Sequence, residues 1–141
     1  MKSILLAIFI TLTLSASCNK HQIKILEKIF NEISIGKELK IWSDNSDILM
    51  GLQQSNRFKT VENIQDATLI ILEKNDKFLK KYNSKYIFVL NYCLLSEIPH
   101  SFGALFWKKG RPNIVIIKPR IEMQSIKVSK ELSPYMEEKV W

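Results

Sequence analysis

The sequence has little of the residues on which specialised protein architectures depend. Its 141 residues include four glycines, four prolines, two cysteines and two histidines. So little glycine and proline excludes collagen-like and low-complexity chains. Two cysteines are too few for a disulfide scaffold, and a zinc site would need nearly all of the cysteines and histidines to converge. Hydrophobic residues at 46% and charged residues at 25% indicate one ordinary globular domain.

Motifs of common enzymatic chemistry are also absent. The chain has no G-x-G-x-x-G sequence, no Walker A loop and no G-x-S-x-G elbow. His100 is a lone loop histidine, and Asp44 and Asp47 lie in a Ser-Asp-Asn-Ser-Asp run that is typical of turns and helix caps. A hydrolase would need Asp44, Asp47 and His100 to converge in one pocket. We therefore expect no enzyme, no cofactor and no metal site.

The first 17 residues have the three-part design of a secretory signal peptide. Lys2 supplies the positive charge, residues 4–14 form an apolar run broken only by two threonines, and residues 15–17 are small. The apolar run is short for a membrane-spanning helix, which needs about 20 residues. An uncleaved anchor or a buried helix is the alternative. The pattern predicts export to the periplasm, with residues 18–141 as the single mature domain.

Cys18 has competing fates after export. Residues 14–18, Leu-Ser-Ala-Ser-Cys, resemble a bacterial lipobox, in which the cysteine becomes the lipidated first residue of the mature protein. If an ordinary signal peptidase cuts the chain instead, Cys18 keeps a thiol that could pair with Cys93 in an oxidising compartment. Cys93 lies inside an apolar run, so we expect a buried free cysteine that packs like a small hydrophobe. Cys18 is thus a candidate lipidation site that could anchor the protein to a membrane.

Basic residues outnumber acidic ones, which gives a formal net charge of +7. Removal of residues 1–17 takes away Lys2 and no acid, so the mature charge is +6. Export excludes nucleic acid as the partner that such a charge would otherwise suggest. An anionic membrane surface, an acidic partner and simple solubility remain as explanations. Because the lysines are spread along the chain, solubility is the default.

The hydrophobic spacing predicts a single α/β domain. Apolar side chains recur every three or four residues over residues 22–33, which indicates an amphipathic helix that ends at Gly36. The continuous apolar run at residues 67–72 is typical of a strand buried on both faces of a parallel sheet. Further helices and strands alternate along the chain: helices over residues 47–54 and 76–82, and strands over residues 39–42, 58–61 and 86–90. This alternation predicts a mostly parallel sheet flanked by helices.

A C-terminal antiparallel hairpin is predicted after these elements. Its strands cover residues 102–107 and 113–118 and flank a Lys-Lys-Gly-Arg-Pro loop at residues 108–112. Alternation places residues 102, 104 and 106 on one face and residues 103, 105 and 107 on the other. The residues of the strand are core in one interpretation, and in the other they form an exposed interaction patch. Trp107 and Arg111 flank the exposed tip and are candidate partner-binding residues, because aromatic and arginine side chains anchor many protein interfaces.

The end of the chain is predicted to be helical. Pro119 can open a short helix after the hairpin. A final helix is predicted over residues 129–140, with Ser133 as its N-cap and Pro134 in its first turn.

The C-terminal pattern resembles the YfiR-like family of small periplasmic regulators. The resemblance covers roughly the last 40 residues, and it rests on Gly-Ala-Leu-Phe at 103–106, Gly110, Asn-Ile-Val-Ile-Ile at 113–117 and Ile-Lys-Val-Ser-Lys-Glu-Leu at 126–132. It implies a non-enzymatic protein that binds and restrains the periplasmic part of an inner-membrane signalling protein, such as a diguanylate cyclase of cyclic di-GMP signalling or a sensor kinase. The alternative is a small periplasmic ligand-binding protein with a cleft near residues 43–47, since ligands of open α/β sheets bind at the carboxyl ends of strands.

Overall fold

A computed structural model describes residues 20–75, 82 and 84–141 of the chain. The predicted signal peptide, Cys18 and most of the predicted helix at residues 76–82 lie outside these residues. Within the described ranges, no helix has both the length and the apolar character needed to cross a membrane.

The described part of the chain contains four α-helices, nine strands and two complete 3-10 helices, and Tyr82 also has 3-10 geometry. The helices are α1 (residues 20–31), α2 (Ser46–Ser55), α3 (Leu94–Glu97) and α4 (Lys118–Met123), and the 3-10 helices are Ile64–Asp66 and Lys130–Tyr135. The strands are β1 (Ile33–Ser34), β2 (Lys40–Ser43), β3 (Lys59–Thr60), β4 (Leu69–Leu72), β5 (Tyr86–Val89), β6 (Gly103–Lys108), β7 (Arg111–Ile117), β8 (Lys127–Val128) and β9 (Met136–Glu137).

A seven-stranded sheet with the order β3-β2-β4-β5-β6-β7-β9 forms the centre of the fold. Its neighbouring strands run parallel except for β6 and β7, which form an antiparallel hairpin. A separate antiparallel pair, β1 with β8, joins the chain after α1 to the chain after α4. The predicted α/β domain, with its mostly parallel sheet and its C-terminal hairpin, is confirmed.

Strand β4 shows how the hydrophobic pattern creates two layers of core. All four of its residues are buried. Leu69 and Ile71 pack in the cluster that contains α1 and α2, whereas Ile70 and Leu72 pack in the cluster that contains α3. Successive side chains of a strand point to opposite faces, so an uninterrupted apolar run supplies both clusters. The expectation of a strand buried on both faces is therefore confirmed.

The ends of two predicted elements were wrong. Helix α1 ends at residue 31, and Ile33 belongs to β1, because its backbone pairs with Val128. The predicted helix over residues 129–140 is a 3-10 helix that Ser129 caps, followed by β9. Pro134 lies inside that 3-10 helix, where its missing N–H group and its ring oppose an α-helix.

Two predicted side-chain positions were also wrong. Cys93 is exposed, because β5 ends at Val89 and the chain has left the sheet before it reaches the start of α3. Phe102 packs in the cluster of Leu105 and not in that of Ala104. Since β6 begins only at Gly103, Phe102 precedes the regular alternation of the strand.

Candidate functional site

The tip of the hairpin is a two-residue turn. Lys109 and Gly110 have φ angles of +53° and +75°, and Lys108 pairs with Arg111 across the ribbon. Positive φ at both central residues is the signature of a type I′ turn, whose twist matches that of the flanking strands. The predicted loop at residues 108–112 is thus shorter than expected, and Arg111 and Pro112 belong to β7.

The outer part of the hairpin extends beyond its neighbours in the sheet. Strand β5 pairs only with Gly103 and Ala104 of β6, and β9 pairs only with Ile116 and Ile117 of β7. The residues nearer the tip therefore form a two-stranded ribbon. As predicted, residues 108–111 at its tip are exposed.

The two candidate contact residues occupy opposite faces of this ribbon. Trp107 pairs with Pro112, and Lys108 pairs with Arg111. Cross-strand partners share a face and consecutive residues alternate between faces, so Trp107 and Arg111 point in opposite directions. Both lie at the tip, but they do not form one continuous patch on a single face.

Trp107 lies on the face that turns towards α1. It keeps 45% of its surface exposed, and its ring centroid lies 5.7 Å from that of His21 in the first turn of α1. Beside it runs a groove of about 360 Å³ between α1, β7 and the second 3-10 helix. The groove is lined by apolar side chains of Ile25, Pro112, Ile114, Leu132 and Tyr135, together with polar residues such as Glu32 and Glu131.

The opposite face of the tip is basic. Lys108, Lys109 and Arg111 line a shallow depression together with Asn113, whose Nδ2 donates a hydrogen bond to the Arg111 carbonyl oxygen at 3.1 Å. None of the three cations forms an ion pair with a carboxylate of the described residues. Their charge is therefore free to interact with an external anion.

The segment at residues 43–47 uses its polar groups to hold the fold together. The two carboxylate oxygens of Asp44 accept hydrogen bonds from the backbone N–H groups of Glu73 at 2.8 Å and Lys74 at 3.0 Å. The Oδ1 atom of Asn45 caps α2 by accepting from the N–H groups of Asp47 and Ile48. These groups tie the carboxyl end of β2 to the chain after β4 and start the next helix.

Asp44 and His100 lie at opposite edges of the sheet. Asp44 follows the carboxyl end of β2, whereas His100 precedes the amino end of β6, and the strands from β2 to β6 run parallel. A four-residue strand separates these edges by about 13 Å. The convergence of Asp44, Asp47 and His100 that a hydrolase would require is therefore not formed. Among the described residues, no three His, Cys, Asp or Glu side chains are grouped closely enough to hold a metal ion.

His100 belongs to a structural junction between α3, β6 and α4. The Gln124 side chain donates to the His100 carbonyl oxygen at 2.8 Å, and Arg120 Nη1 donates to the carbonyl oxygens of Leu95 at 2.7 Å and Ser101 at 3.0 Å. Burial, and secondly the charge of Arg120, lowers the pKa of His100. Burial also lowers the pKa of Arg120. Sequence reasoning gave no role to Arg120, since nothing in its neighbours distinguishes it from a surface arginine.

Comparisons of the chain with protein-family models, with curated proteins and with solved structures found no match.

Proposed function

We propose that the chain is an exported, non-enzymatic binding protein that contacts the periplasmic part of an inner-membrane signalling protein through its hairpin. Trp107 and Arg111 are the proposed contact residues. Cys18 is the proposed site of lipid attachment, which would hold the protein at the membrane where its partner resides.

The exposed Trp107 is the observation that carries this proposal. Tryptophan is among the residue types enriched at binding hot spots, which are packed in pockets from which the partner excludes water. Trp107 leaves 45% of its surface in solvent on a projecting ribbon, next to the groove lined by Ile114 and Tyr135. An extended or helical segment of a partner could cover the ring and fill this groove together.

The class of partner comes from the resemblance to YfiR-like regulators. A diguanylate cyclase or a sensor kinase of the inner membrane exposes a domain outside the cytoplasm, within reach of an exported regulator. The polar groups at residues 43–47 are already paired within the fold, so no observation favours the alternative of a ligand-binding cleft there.

The opposite orientations of Trp107 and Arg111 allow the partner surface to be mapped. The purified periplasmic domain of a candidate signalling protein is titrated with the native chain, with Trp107→Ala and with Arg111→Glu. Lys127→Glu, an exposed charge reversal on β8, is the matched control. We expect a loss of affinity of about thirtyfold for a hot-spot residue, and no loss for the control.

The melting temperature of each variant separates binding from folding. Arg111→Glu should melt like the native chain, because Arg111 is exposed and makes no ion pair with the described carboxylates. If the signalling domain binds both hairpin variants as tightly as the native chain, the hairpin is not the partner surface.

A further inference from the structure

A planar surface that meets the hairpin tip first would contact Trp107 and the basic residues together. The two groups point in opposite directions from the ribbon, but the Trp107–Pro112 pair directly follows the Lys108–Arg111 pair along it. A protein partner that contacts both groups must enclose the tip of the ribbon. A bilayer approached by the tip would reach Lys108, Lys109, Arg111 and Trp107 at once.

The start of the described chain emerges at this same end of the molecule. The ring of His21 packs 5.7 Å from that of Trp107. Cys18 precedes His21 by three residues in the sequence. A lipid on Cys18 would therefore be attached three residues before a side chain that packs against the hairpin.

We propose that the hairpin tip binds the anionic headgroups of a phospholipid surface. Lys108, Lys109 and Arg111 supply the charge complementarity, and the exposed Trp107 beside them is of a residue type that partitions into the membrane interface. The proposal rests on the export that is part of the proposed function, but it requires no protein partner. Part of the excess positive charge would then serve to bind anionic lipid at the hairpin tip, and not only to keep the protein soluble.

Vesicle binding tests the proposal without disturbing the two proposed partner contacts. Every variant is the mature chain, residues 18–141, with Cys18→Ser, so that neither the apolar run at residues 4–14 nor an acyl chain contributes. In the tip variant, Lys108→Gln and Lys109→Asn remove two charges, and an Asn-Gly pair suits a type I′ turn. In the control variant, Lys59→Gln and Lys127→Gln remove two exposed charges elsewhere. Binding to vesicles of equal parts phosphatidylglycerol and phosphatidylcholine is measured by sedimentation.

We expect the tip variant to bind these vesicles about thirtyfold more weakly than the native chain, since each basic residue near an anionic bilayer strengthens binding about fivefold. The control variant should stay within about twofold of the native chain, because charges far from the surface are screened. If both variants lose binding equally, net charge alone drives the association and the proposal is wrong.

Trp107 fluorescence provides a readout that does not depend on affinity. With Trp42→Phe and Trp141→Phe, Trp107 is the sole tryptophan. On anionic vesicles its emission should shift to the blue and be quenched by brominated acyl chains. Unchanged emission from a chain that co-sediments with the vesicles would show that the tip faces away from the bilayer. Because this assay contains no protein partner, its failure leaves the titration with the signalling domain unaffected, and the converse also holds.

Discussion

A methyl group added at Gly103 tests how closely β6 and β7 pack where the hairpin joins the sheet. An ideal Cβ atom there would lie 2.8 Å from the Val115 carbonyl oxygen, 2.8 Å from Ile116 Cδ1 and 3.1 Å from Phe88 Cε2. The Ile116 methyl group can rotate, but the carbonyl oxygen belongs to the backbone of the strand that pairs with β6. Gly103→Ala must therefore separate β6 from β7 or distort the site where both join the sheet.

The expected cost follows from overpacking. Inserting a carbon atom into a packed core typically costs about 1–3 kcal/mol, and alanine recovers part of that cost by restricting the unfolded chain. We expect Gly103→Ala to lower the free energy of unfolding by about 2 kcal/mol, which corresponds to a fall in melting temperature of roughly 8 °C for a domain of this size. Urea unfolding followed by circular dichroism measures the change at an unaltered m-value.

Gly51→Ala is the matched control. Its ideal Cβ atom would lie 2.6 Å from Ile23 Cγ1 and 2.7 Å from Ile23 Cδ1, so the close atoms belong to a side chain and not to backbone. Ile23 borders a groove of about 410 Å³ between α1 and α2, and we expect its side chain to shift towards that groove. Alanine also gains up to about 1 kcal/mol over glycine inside a helix. The reasoning is refuted if Gly103→Ala proves as stable as Gly51→Ala.

Two further predictions concern polar groups that the sequence offered as catalytic candidates. Burial and the charge of Arg120 lower the pKa of His100 below its ordinary value of 6.5. As the pH falls, His100 is therefore protonated in the unfolded chain before it is protonated in the folded chain. Urea titrations should therefore show the native chain losing stability below pH 6.5 more steeply than His100→Gln, and equal slopes would contradict the assignment. Asp44→Ala deprives two backbone N–H groups of their acceptor, so it should lower the free energy of unfolding by about 1–2 kcal/mol without weakening partner binding; weaker binding at unchanged stability would restore a ligand site at residues 43–47.

The sequence predicted an element correctly where burial of its apolar side chains determines the structure. The apolar run that contains β4 predicted a strand buried on both faces, and all four residues of that strand are buried. The three- and four-residue spacing before Gly36 predicted α1, whose Leu26, Ile29 and Phe30 lie in the core. Both patterns are properties of short segments, so no knowledge of their partners was needed.

The geometry of the candidate site depends on the register of β6 against β7, which the residue types in the loop do not determine. A loop of five residues and a turn of two residues are both compatible with Lys-Lys-Gly-Arg-Pro. Positive φ at Lys109 as well as at Gly110 selects the shorter turn, and this choice fixes Arg111 opposite Lys108. Since a shift of one residue moves a side chain to the other face, the relation of Arg111 to Trp107 could not be read from the sequence.

The prediction of a helix over residues 129–140 was wrong for a different reason. In residues 129–140, Ser133 and Pro134 look like an N-cap followed by a proline in the first turn, so local signals favoured a helix. Residues 136 and 137 instead form β9, which pairs with β7 and places Met136 opposite Ile116. Such a partner lies in another part of the chain, and tertiary pairing overrides local propensity.

The pairing of β1 with β8 sets the order in which the molecule can be completed. Ile33 meets Val128 only after nearly the whole described chain has been synthesised. Residues this distant in sequence can pair only after a large loop has closed. Loop closure costs conformational entropy before the pairing stabilises the chain, so such pairings form slowly. Leu132 and Tyr135, which form one wall of the groove beside Trp107, follow β8 in the chain. A nascent or truncated chain therefore lacks that wall, and the groove is present only on molecules that have finished folding.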